Sequence, residues 1–256
     1  MVATERAFAA SALELGVRDA FLTYFGDDAI SIEAGADGAH ASVVPAKNGL
    51  RQSPQPKLPL IGQLMWEPFT GHVSSDGTLG WLTGGYVNMN VVTKGIGGKG
   101  AYFSVWKHHA DGTWRVWLDE GISLPSVWQD ASPFRVAPEP DSTVAGGATE
   151  TMDAAEKSVA SGAAAWQGRL AQDVRVHRDG TMPLVGRDAV LEWARANWTA
   201  VRYTVINTQR AGSDDLGITL GGYDAGASQH GTWVRVWKRA ASGQWRIVFE
   251  TSKAAR

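Results

Sequence analysis

Six histidines (His40, His72, His108, His109, His177 and His230) and 26 acidic side chains are the groups best suited to moving protons or holding a metal near neutral pH. No HExxH pair is present, and the adjacent His108 and His109, placed on a strand, point to opposite faces and cannot readily share one ion. Cysteine is absent, which removes thiolate zinc sites, disulfides and cysteine nucleophiles together. No serine sits in a GxSxG turn. The glycine-rich GIGGKG of Gly95 to Gly100 lacks the P-loop spacing and a Ser or Thr after its Lys, and reads as a flexible hairpin tip. No metal and no cofactor are expected. The other conspicuous resource is aromatic: of twelve Trp, those at 106, 114, 117, 233, 237 and 245 fall on alternating strands, where core and interface account for most of them. Trp66, Tyr86, Tyr102 and Trp233 are candidates to stack on a ligand, which favours a small apolar or aromatic molecule.

The elements that position these residues are bounded by composition. A length of 256 residues suggests two modest domains, and 44% hydrophobic against 20% charged residues provides enough apolar surface for cores. With 24 basic and 26 acidic residues there is no basic field to hold nucleic acid or an anionic membrane, so neither is expected as a partner. No apolar run reaches the roughly 18 to 20 residues that span a bilayer. The opening MVATERAFAASALELG reads as an amphipathic helix and not as a signal peptide, which makes the chain as given cytoplasmic, or periplasmic if a leader was removed. Homo-oligomerisation is left open.

One unit is used twice. Gly100, Trp106, Lys107, Gly112, Trp114 and Arg115 recur at one fixed separation as Gly231, Trp237, Lys238, Gly243, Trp245 and Arg246. LGWLTGGY at Leu79 to Tyr86 is matched by LGITLGGY at Leu216 to Tyr223. Between the copies Gln129 to Thr151 is rich in Pro, Ser, Thr, Gly and Ala and reads as a linker, giving domains at 1–128 and 152–256. Within a copy the apolar spacing predicts helix, then a turn at Asp27-Asp28, then a strand over Ala29 to Glu33. In the second copy Ala163 to Leu170 and Asp173 to His177 repeat these events, and a further amphipathic helix follows over Gly186 to Trp198. Three or four strands close each copy, the last two joined by hairpins at Asp111-Gly112 and Ser242-Gly243. The fold class is α+β, helices first and an antiparallel meander last.

DDAISIE at Asp27 to Glu33, GRDAVLEWARAN at Gly186 to Asn197, and the closing hairpins around Trp106 to Val116 and Trp237 to Ile247 resemble the NTF2-like superfamily. This is the cystatin-like cone of helices on a curved sheet found in ketosteroid isomerases and in SnoaL-like and DUF4440-like domains. WEP at Trp66 to Pro68, ahead of LGWLTGGY, is similar to the DUF4440-like pattern. The resemblance implies two tandem cones packed through their sheets as an intrachain pseudo-dimer, each with an apolar cavity.

It further places Glu33 at the general-base position of the isomerases, where a carboxylate desolvated by Trp and Tyr would have a raised pKa and take a proton from a carbon next to a carbonyl. Ser104 falls where the isomerases carry a protonated acid, with Tyr24, Tyr86 or Tyr102 as further donors. In the second copy His177 and Arg178 stand where an acid would, and Arg235 at the donor position; His177 could be a base and Arg235 could grip an anionic oxygen. The function implied is a cofactor-independent isomerase, lyase, dehydratase or cyclase for a small aromatic or carbonyl-bearing molecule. The rival is a non-catalytic ligand-binding or protein-association module.

Overall fold

The computed structural model of the chain describes residues 1–35, 40–129, 133–140, 150–159, 162–197, 201–225 and 230–255. Helix α1 (Val2–Leu15) buries Glu5, Phe8 and Ala12, the three- and four-residue spacing of one helix face. It ends at Gly16, whose φ of 82° lies in the left-handed region and whose Cα faces Pro56 so closely that a Cβ would stand 2.8 Å away. Helix α2 (Val17–Tyr24) follows. Strand β1 (Phe25–Ala34) starts earlier than the sequence suggests: the turn expected at Asp27-Asp28 is already strand, with both Asp side chains exposed beside buried Phe25 and Ala29.

The first half continues with β2 (Ala41–Pro45), α3 (Ala46–Gln52), β3 (Gly62–Val73), β4 (Leu79–Asn90), β5 (Gly95–His108), β6 (Trp114–Ser123) and β7 (Arg135–Val136). GIGGKG is therefore the start of β5, paired with β4, and not a hairpin tip. The second half repeats the series as α4 (Met152–Val159), α5 (Ala163–Arg169), β8 (Leu170–Arg178), β9 (Thr181–Val185), α6 (Arg187–Asn197), β10 (Arg202–Arg210), β11 (Leu216–Asp224), β12 (His230–Arg239) and β13 (Trp245–Ala254). Trp198, expected at the end of α6, and much of the segment 129–151 lie outside the described residues. Within that segment Arg135 and Val136 pair with Thr70 and Gly71, adding a short strand to the first sheet.

The sheets run β2-β1-β6-β5-β4-β3-β7 and β9-β8-β13-β12-β11-β10, with β1 parallel to β6, β8 parallel to β13, and neighbours otherwise antiparallel apart from β7. Each half is an α+β cone, helices packed on a largely antiparallel sheet. The recurring glycines mark where the sheet bends: a Cβ on Gly84 would lie 1.8 Å from the Glu67 carbonyl oxygen, and one on Gly221 would lie 1.7 Å from that of Thr204. Both sit beside irregularities in register, in β3 and in β10. The hairpin glycines Gly112 and Gly243 have φ of 81° and 83°, as their turns require.

The two cones meet back to back. A continuous apolar core joins Trp81, Phe103, Val105 and Leu118 of the first half to Val234, Val236 and Phe249 of the second. Phe103 stacks on Phe249 with centroids 4.4 Å apart. A reciprocal clamp closes one end, the Ser75 N–H donating to Asp215 at 3.0 Å and the Ser213 N–H donating to Asp76 at 2.8 Å. These contacts form the intrachain pseudo-dimer.

Candidate functional site

The two cone interiors are built from matching positions. In an antiparallel pair, directly opposed residues share a face. Tyr102 is opposite Gly121 and Ser104 is opposite Asp119, so all four lie on the helix side of the first sheet. Asp119 reaches that face because the register slips between Val105 and Trp106, leaving Trp117 as the extra residue of a bulge.

A cavity of about 240 Å³ opens here, lined by Phe21 of α2, Leu64 and Trp66 of β3, Tyr86 of β4, Tyr102 of β5, and Asp119 and Gly121 of β6. Its wall is apolar but for one carboxyl and the phenols. Burial pushes the Asp119 carboxyl well above the usual carboxylate range, and the nearby Glu5 and Glu120 carboxylates push it the same way. Burial also raises Tyr102, helped by Glu5 and Asp119, so its phenol keeps its proton. Among the described residues the Tyr102 hydroxyl has no hydrogen-bond partner. A second carboxyl lies behind the wall. Glu5 accepts from Trp66 Nε1 at 2.6 Å, Ser104 Oγ at 2.8 Å and Trp106 Nε1 at 2.9 Å. Its burial outweighs those three hydrogen bonds and raises its pKa.

The second cone carries the same pair of acids, Glu156 on α4 and Glu250 on β13, with a guanidinium between them. Arg235 donates from Nη1 to Glu156 at 2.5 Å and from Nε to Glu250 at 2.6 Å. Arg178 also pairs with Glu250, Trp166 Nε1 donates to it at 2.9 Å, and Glu156 accepts from Thr219 and Trp237. Burial alone would raise Glu250, but Arg235 and Arg178 overcome it and hold the group down at about 2. The Arg235 guanidinium lies 4.5 Å from the Trp233 ring centroid, and both side chains are fully buried. The deep interior of this cone is filled.

The sequence-selected residues therefore separate. Trp66, Tyr86 and Tyr102 come together on the cavity wall. Tyr24 does not join them; it stacks on Phe8 at 4.9 Å, outside the lining. Glu33 is exposed on β1 opposite Ser42, since strand alternation turns Ile32 inward and Glu33 outward. Ser104 is buried behind the wall and spends its hydroxyl on Glu5. His177 lies between the cones, 4.8 Å from the Phe249 ring and 5.4 Å from that of Trp128. Burial there, with Arg175 and Arg178 nearby, lowers it to about 3, so it is neutral and sealed instead of poised as a base. Arg235 grips Glu156 through Nη1 and Glu250 through Nε, while its Nη2 is buried with no hydrogen-bond partner among the described residues, and Trp233 is core, its indole N–H donating to the Gly222 carbonyl at 2.8 Å.

Asp119 and Glu5 are the groups that sequence reasoning missed. A signal for Asp119 is present: Glu250 stands at the same fixed separation that relates Trp106 to Trp237, so the duplicated hairpin carries an acid at one position in both copies. Glu5 and Glu156 lie on helices spaced differently in the two halves and have no such signal. Among the described residues no three His, Asp or Glu side chains gather to hold a metal ion, and no helix is long and apolar enough to cross a membrane.

No protein-family model matches the chain, and no curated protein matches it. Solved structures do. A ketosteroid isomerase-like protein from Erwinia carotovora atroseptica SCRI1043 is similar at 13% identity, covering 41% of this chain and 95% of its own, with a TM-score of 0.36. Nuclear transport factor 2 from Cryptosporidium parvum matches at 12% identity over 35% of this chain and 77% of its own, TM-score 0.30. A computationally designed 17-OHP binder matches at 16% identity over 39% and 87%, TM-score 0.32.

Proposed function

We propose that the first cone is a cofactor-independent acid–base site for a small, flat, apolar molecule bearing a carbonyl or hydroxyl oxygen, with Asp119 as proton donor and Tyr102 as second donor to that oxygen. One observation carries the reading: a carboxyl that burial raises well above the usual carboxylate range and a tyrosine whose hydroxyl has no partner among the described residues line one apolar cavity. A protonated acid and a phenol in an apolar site form a strong pair of donors to an oxygen that gains negative charge. Asp119 thus takes the place that the resemblance gave to Glu33, but as an acid first.

For a β-hydroxy ketone the proton balance closes within the cavity. The Asp119 proton leaves with the hydroxyl as water, and the resulting carboxylate takes a proton from the carbon between the hydroxyl-bearing carbon and the carbonyl, forming the enone and restoring the acid. Trp66, Tyr86 and Phe21 hold the flat skeleton by stacking and exclude water from the carboxyl.

The test is turnover of β-hydroxy ketones and isomerisation of enones by the intact chain, after thermal-shift screening for binders. Asp119→Asn is expected to keep binding and to lose about a hundredfold or more in turnover, and Tyr102→Phe about tenfold. Turnover unchanged in Asp119→Asn would overturn the reading. Binding without turnover in the unmodified protein would make the cone a carrier, the non-catalytic alternative.

A further inference from the structure

The place that is an apolar cavity in the first cone has a counterpart in the second, and its chemistry is different. Because Trp233 and Arg235 fill the deep interior, only the mouth of the second cone stays open, as a cleft of about 410 Å³. Tyr203, Tyr223 and Ser252 on its wall stand where Trp66, Tyr86 and Gly121 line the first cavity. Thr181, Trp193 and Asn197 complete the polar and aromatic lining.

The hydroxyl-bearing groups of this cleft are available. Among the described residues neither Tyr203 nor Tyr223 makes a hydrogen bond through its phenol, and Thr181 and Ser252 have none through their hydroxyls. Burial raises Tyr203 to about 12 and also raises Tyr223, so both phenols are neutral and can donate as well as accept. The charged groups nearby are committed. Arg178 pairs with Glu250 and donates to the His177 carbonyl, and Asp179 accepts from the Ser123 N–H. Arg178 and Asp179 are the charged residues on the cleft wall, one of each sign and each already paired, so the wall selects neither an anion nor a cation.

We propose that this cleft is a second ligand site, for a neutral ring carrying several hydroxyls, such as a pyranose or a cyclitol. Ring hydroxyls donate and accept as the Tyr, Ser and Thr hydroxyls do, and the apolar face of such a ring would lie on Trp193, on the side away from the Arg178 guanidinium, which stands 5.7 Å from the Trp193 ring centroid. The inference does not rest on acid–base chemistry in the first cone.

The experiment is ligand-observed NMR titration of the intact chain with neutral methyl pyranosides and inositol, in parallel with the corresponding uronic acids and amino sugars. Saturable binding of at least one neutral ring is expected, stronger than that of its uronic acid or amino counterpart. Tyr223→Phe and Ser252→Ala should each weaken it about fivefold, the loss of one hydrogen bond. Both variants should leave the melting temperature and ligand binding in the first cavity unchanged, which separates this site from that one. Absence of saturable binding across the neutral rings, preference for the charged sugars, or binding indifferent to both variants would each overturn the proposal.

Discussion

Where the first cone has Ser104 the second has Arg235, and that difference divides one architecture into an open acidic cavity and a filled ionic core. Each cone carries a carboxyl on its first helix and another on the strand that closes its final hairpin, β6 or β13. Without a cation between them, desolvation dominates, both acids of the first cone have raised pKa values, and space is left in front of Asp119. With Arg235 between them Glu250 ionises, and the guanidinium with Trp233 occupies the volume. The helix-and-sheet frame is common to both halves; the charge placed in it decides whether the interior is a site or a support.

The largest effect should come from removing the cation. Arg235→Leu leaves Glu156 and Glu250 buried and facing each other, and is expected to cost about 3 to 5 kcal/mol in urea unfolding. Ser104→Ala, the matching change in the first cone, should cost about 1 kcal/mol, the worth of one hydrogen bond. Equal costs would break the comparison.

The two interiors should also answer pH with opposite signs. Glu250 is held at about 2 against an ordinary 4.5, so the stability it contributes is complete above pH 4.5 and is lost as pH falls toward about 2. Glu5 and Asp119 are raised, so their contribution is present at acid pH and is lost as pH climbs through their folded values. The indole N–H signals report each half separately: Trp166 should shift on acidification, and Trp66 and Trp106 on alkalinisation. Turnover in the first cone should have an alkaline limb that tracks Asp119 ionisation.

His177 sharpens the contrast at the interface. Its folded pKa of about 3 lies below the ordinary 6.5, so the unfolded chain binds the proton more readily and stability falls between those values on acidification. His177→Leu should remove that loss, seen as a flatter dependence of melting temperature on pH from 6.5 to about 3. The smallest effect belongs to Glu33→Gln on the exposed strand, expected to change stability by less than about 0.5 kcal/mol and turnover not at all. A large loss of turnover there would return the catalytic role to β1.

Much of the frame was legible because duplication and backbone geometry are local. The repeated GGY and VWK segments marked two copies and their hairpins, and at Gly84, Gly85 and Gly221 of the GGY segments a Cβ would meet a carbonyl oxygen. The aromatic wall was legible in part: Trp66, Tyr86 and Tyr102 converge, whereas Tyr24 and Trp233 are packed away. The acids were harder to read. Assigning Glu33 from DDAISIE required the phase of strand alternation, and one residue of phase moves a side chain to the other face of a sheet.

The sequence by itself determined the α+β class, the duplication, and the absence of cysteine chemistry, because composition and fixed spacing survive without coordinates. Only the tertiary structure decided which acids are active candidates. The bulge at Trp117 sets the face on which Asp119 emerges, α1 brings Glu5 to Ser104 across 99 positions of chain, and the back-to-back packing seals His177. Each is a long-range consequence of how elements pack, and the desolvation that shifts these groups depends on what surrounds them, not on what precedes them in the chain.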